Sequence, residues 1–109
     1  MKSQIEALLA ALAQTQDLLR KHGDKWVAGA IHELEARLAR GDWAAIQTAV
    51  TEATGGMGSL RDRWISAANG DAIAREDEQA VNARLDALIE EVERTAREAA
   101  EAVGLQLFR

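Results

Sequence analysis

Gly23, Gly41, Gly55 and Gly104 each stand behind a stretch in which apolar residues recur every three or four positions. That spacing gathers apolar side chains on one face of an α-helix, and glycine readily takes the left-handed conformation that closes one. A chain punctuated in this way is confined to helices joined by turns of a few residues, each helix turning back on or crossing the one before it.

Four such stretches can be read. Ser3 towards His22 carries Ile5, Leu8, Leu9, Leu12 and Leu19 on one face, with Ser3 and Glu6 spaced as a capping box and Arg20, Lys21 and His22 at the cation-favouring end. Asp24 can cap the second stretch, whose stripe is Val27, Ile31, Leu34 and Leu38; Asp42 repeats the device for a shorter third helix with Trp43, Ile46, Val50 and Ala53. The last and longest keeps Val81, Leu85, Leu88, Val92, Ala96, Ala99 and Val103 in line. Its surface pairs Glu90 with Arg94 and Glu93 with Arg97 four residues apart, each adding ~0.2–0.5 kcal/mol. Behind Gly104, Leu105, Leu107 and Phe108 form an apolar tail that must fold back or meet a partner.

The 109 residues suit one domain over 1–109 with a single core. Hydrophobic residues reach 48% but aromatics only 4%, which describes helices packed through small side chains. The expected fold is mostly all-α, a compact four-helix domain with a Gly-rich loop and a short β-hairpin inserted before the long last helix. No apolar run has the length of a membrane span, and the opening MKSQIEALLAALAQ is broken by Gln4, Glu6 and Gln14, so it reads as part of the fold rather than a secretion signal. With no cysteine the chain has no disulfide framework and no thiolate, which is compatible with the cytoplasm.

Charge is unevenly spread. Between Glu76 and Glu101 nine acids face three arginines, a local net charge of −6 in a chain whose total is −5. Such a surface repels phosphate backbones, which argues against nucleic acid, and suits a basic protein partner.

The stretch EATGGMGSLRDRWIS, Glu52 to Ser66, places unusual backbone freedom in mid-chain. Gly55 can finish the third helix, Gly56 and Gly58 permit a turn, Met57 between them can plug the core, and Ser59 with Asp62 has the spacing of an N-cap pair. Asn69-Gly70 between RWIS and AIA signals a β-hairpin from about Arg63 to Ala74, with a helical turn as the alternative. The run from Gly55 to Asp62, with the GDW turn at Gly41 to Trp43 and EDEQAVNARLDAL further on, resembles a small bacterial family of unknown function. That family is marked by a G-G-M-G-S-x-N-D stretch, and Arg61 stands here in place of the expected asparagine. The resemblance covers most of the chain after Asp24 and implies a shared fold; it brings no activity.

Catalytic signatures are missing from the sequence. The glycine loop lacks the Lys-Ser/Thr of a P-loop and the third glycine and preceding strand of a dinucleotide fingerprint. His22 and His32 read as solvated surface residues outside any metal-ligand spacing, and no nucleophile elbow or cofactor motif occurs. Trp26 and Trp43, near helix starts, read as rings closing the core, whereas Trp64 beside Arg61 and Arg63 is a candidate anchor. The expected partner-binding residues are therefore Arg61, Arg63 and Trp64 with Asp86, Glu90 and Glu93 of the last helix. The function this pattern implies is a non-enzymatic protein-binding module, most concretely an immunity-protein or antitoxin-like inhibitor of a basic toxin. The alternatives are a self-associating helical protein, homodimeric through the Val81–Val103 stripe or the tail, and a small-anion or nucleotide binder at Gly55–Arg63.

Overall fold

Residues 1–55 and 59–108 are described by a computed structural model, so Gly56, Met57 and Gly58 of the glycine loop lie outside the described residues. Four α-helices account for most of the chain: α1 (Lys2–Lys21), α2 (Lys25–Ala39), α3 (Ala44–Thr54) and α4 (Glu78–Val103). Helix α1 packs against α2 and α4, and α4 against α3, leaving the α2–α3 seam only lightly closed. Among the described residues no helix is long and apolar enough to cross a membrane.

The core follows the stripes read from sequence. Leu8, Leu12 and Leu19 of α1, Ile31 and Leu38 of α2, Ile46 and Val50 of α3, and Leu85, Val92 and Ala96 of α4 are all buried. Leu9, Trp43, Val81 and Val103 pack against this core from its edge. The stripe of α4 is thereby used within the chain. Fully buried Thr15 and Thr95 also lie inside; their hydroxyls donate to Ala11 O at 2.8 Å and Glu91 O at 2.7 Å, so neither leaves a polar group unsatisfied.

Helix ends match the sequence less well. Asp24 caps α2, accepting from the Val27 amide at 3.3 Å, but Ser3 caps nothing: α1 starts one residue earlier behind Met1, with Lys2 reaching Glu6 at 3.9 Å. Asp42 is drawn chiefly to Arg37, whose Nε donates to it at 2.8 Å, and Trp43 occupies the N-cap position of α3 without a side-chain cap. This hydrogen bond to Arg37 is the main reason the Asp42 carboxyl lies below its ordinary range, with Ala44's amide a lesser contributor. A folded value depressed in this way stabilises above the unfolded pKa and loses that contribution as pH falls through the folded value. Arg37→Ala is accordingly expected to raise the Asp42 titration midpoint followed by NMR; an unmoved midpoint contradicts the pairing.

The segment between α3 and α4 contains no hairpin; no strand occurs among the described residues. From Ser59 to Asp77 it is irregular chain broken by single 3₁₀ turns at Leu60–Asp62, Ala67–Asn69 and Arg75–Asp77. Side chains take the place of a second strand. Buried Asn82 of α4 accepts from the Ile65 amide at 2.8 Å and donates to the Ile65 carbonyl at 2.7 Å and the Glu78 carbonyl at 2.8 Å. Asp71 accepts from the Ser66 amide at 2.9 Å, and Glu78 from the Ala67 amide at 3.3 Å. With these groups satisfied, Asn69-Gly70 closes a 3₁₀ turn instead, Gly70 taking the left-handed conformation at φ 86°.

His22 is buried rather than solvated. Its Nδ1 lies 2.8 Å from the Ala72 carbonyl, which can only accept, so Nδ1 carries the proton; the Ala72 amide in turn donates to the His22 carbonyl at 3.0 Å. This reciprocal pair ties the end of α1 to the linking segment. His32 is exposed as expected. The C-terminal tail folds back, Leu105 donating to Ala100 O at 2.8 Å and the Phe108 amide to Gln47 Oε1 at 2.8 Å, while the Phe108 ring stays exposed.

Candidate functional site

Around Trp64 the linking segment meets the start of α2. Arg63 forms a two-pronged pair with Asp24, Nε to Oδ2 at 3.1 Å and Nη2 to Oδ1 at 3.2 Å, so one carboxylate both caps α2 and holds the segment in place. Trp64 follows with 60% of its surface exposed, while its neighbour Ile65 is buried and fixed to Asn82. The ring is thus presented by backbone anchored on both sides. It lines a cleft of about 370 Å³ with Gly23, Asp24, Asp62, Arg63, Asn69 and Asp71, in which, among the described residues, three carboxylates accompany a single guanidinium.

Arg61 belongs to a second cluster. Its Nε donates to the Ala53 carbonyl at 2.9 Å, its Nη1 to Asp86 at 3.2 Å, and its Nη2 lies 4.0 Å from Glu93. The structure therefore brings Arg61, Asp86 and Glu93 together as an internal clasp between the end of α3 and α4. Glu90 lies exposed on α4 without an ion-pair partner among the described residues. Glu93 accepts from Arg97 at 3.1 Å as read from sequence, but Arg94 bonds Glu91 and Glu98 instead of Glu90. That hydrogen bond with Arg94 lowers the Glu91 carboxyl's pKa and raises that of Arg94.

Gly55, Ser59 and Asp62 are the remaining described residues of the glycine loop. Gly55 ends α3 at φ 117°, a backbone region that favours glycine. Ser59 is buried, and its carbonyl accepts from the Asp62 amide at 3.1 Å to close the 3₁₀ turn, which has no side-chain cap; the Leu60 amide donates to Glu52 at 3.2 Å. Arg61 and Arg63, the cations an anion would seek at this loop, are both already bound to carboxylates. No cluster of metal-ligating side chains occurs among the described residues.

One feature of the surface was missed by sequence reasoning. Trp26 does not close the core: it is 80% exposed at the start of α2. It borders a groove of about 360 Å³ between α2 and α3, walled by Val27, Ile31, Leu34 and Leu60 and floored by Leu12 and Val92. The signal was present in the pattern, because Trp26, Ala30, Glu33 and Arg37 share a helical face whose later members are charged.

Comparison of the chain with protein-family models, curated proteins and solved structures returned no match.

Proposed function

We propose that the chain is a non-enzymatic protein-binding module, most concretely an immunity-protein or antitoxin-like inhibitor of a basic bacterial toxin in the cytoplasm. The observation that carries this reading is Trp64: a largely exposed indole on anchored backbone, beside a cleft richer in carboxylates than in cations. Tryptophan in such a setting is a typical anchor of binding energy, because little conformational freedom is lost when the partner covers it. The exposed carboxylates of α4, Glu90 among them, add a field that speeds encounter with a positively charged surface. The bacterial setting rests on the resemblance at Gly55 to Asp62.

Co-expression with the product of the adjacent gene tests the proposal. A complex should survive purification at low and moderate salt, and Trp64→Ala should weaken it tenfold or more, about 1.4 kcal/mol. Glu90→Lys should chiefly slow association. No complex under either salt condition, or a complex indifferent to Trp64→Ala, counts against it.

A further inference from the structure

We infer that the α2–α3 groove is a second recognition site, which receives an amphipathic helical segment bearing lysine or arginine beside its apolar face. The inference rests on the chain being a protein-binding module and assigns the partner's contacting element. Because α2 leans on α1 and α3 on α4, a shallow groove runs along the α2–α3 seam, where Trp26 and Ala30 are the exposed apolar members above buried Val27, Ile31 and Leu34. From Trp26 to Arg37 the α2 wall is about 16 Å long at 1.5 Å per residue, room for roughly three helical turns. A helix laid in such a groove offers side chains at i, i+3 or i+4, and i+7. Trp26 at its end supplies an exposed ring to cover the incoming segment.

Charge decides between occupants. Among the described residues Glu33 and Glu52 line the groove with one cation, Arg37, whose guanidinium is taken up by Asp42 at 2.8 Å, while Glu52 keeps its charge as it accepts from the Leu60 amide. Glu33 has only a loose contact with Arg40 at 3.9 Å, both side chains being largely in solvent. The rim therefore presents net negative charge, which matches basic residues flanking an apolar stripe. A second copy of this chain, itself at −5, is the poorer electrostatic match.

Selection of a random 14-residue peptide library against the folded chain tests this directly. Enriched peptides should carry the apolar spacing with Lys or Arg beside it, and should bind more weakly as salt rises. Trp26→Ala and Ala30→Arg alter exposed positions, so circular dichroism and melting temperature should stay near the parent values while peptide affinity falls at least tenfold. Failure to enrich any peptide, enrichment of acidic or unpatterned sequences, or affinity unchanged in both variants overturns the groove assignment. So does a concentration-dependent dimer by light scattering that Ala30→Arg abolishes, since the occupant is then a second copy. None of these results bears on the Trp64 complex, whose failure is read separately in the co-expression experiment.

Discussion

Asn82→Ala is expected to destabilise the fold by roughly 2–4 kcal/mol, since it strips the partners from a buried amide and carbonyl at once. Ile65 is 2% exposed, so water cannot easily replace the lost side chain at 2.8 Å and 2.7 Å. Against a total stability of about 5–15 kcal/mol for a domain, that is a large fraction. Asn82→Asp separates the two roles. It keeps an acceptor for the Ile65 amide but turns a carboxylate oxygen towards the carbonyls of Ile65 and Glu78, so it too should destabilise, and less so at acid pH where protonation restores one donor. Urea unfolding reads both: the midpoint should drop with little change in slope. A midpoint shift below about 0.5 kcal/mol equivalent for Asn82→Ala would mean that the amide is decorative.

Ile89→Ala should cost a further large amount, about 2–5 kcal/mol, whereas Val81→Ala on the same helix should cost well under that. Ile89 is 1% exposed in the centre of the bundle, where a deleted side chain leaves a cavity walled by neighbouring helices; Val81 sits only partly covered at its edge. The contrast matters because the apolar stripe read from sequence includes Val81 and omits Ile89. Equal losses at the two positions would place the core elsewhere on α4.

The four helices were legible because each stripe repeats often enough to outweigh local noise, and because glycine with positive φ falls at the turns, as at Gly23, Gly41 and Gly104. Polar residues on the buried face were not. Asn82, Leu85, Ile89, Val92 and Ala96 recur at spacings of three and four, yet an asparagine is passed over when only apolar positions are counted. The mistaken hairpin has the same origin, since the groups that replace its second strand come from Asn82 and Glu78 on the next helix. Asn69-Gly70 specifies a tight turn, not what flanks it.

Of the candidate site, Trp64 was readable as an arginine-flanked aromatic, and its ring is exposed. The roles of its neighbours were not, because they depend on pairs distant in sequence. Arg63 and Asp24 are 39 residues apart, Arg61 and Asp86 are 25 apart, and nothing local in either stretch names the other. Both arginines tie the linking segment to neighbouring helices, Arg61 to the end of α3 and to α4, Arg63 to the start of α2. Trp26 departs in the opposite direction: an apolar ring at a helix start suggests burial, but charges at Glu33 and Arg37 mark that side of α2 as facing solvent, and the ring is exposed.

Hydrogen exchange at Ile65, Ser66 and Ala67 bears most directly on the idea that Trp64 is held ready by a clamped, strand-free segment. In the free chain these three amides should exchange slowly, despite lying outside any α-helix, while acrylamide still quenches the Trp64 indole; in Asn82→Ala the Ile65 protection should vanish. Rapid exchange at all three in the parent chain would show a loose segment and contradict a preorganised recognition surface.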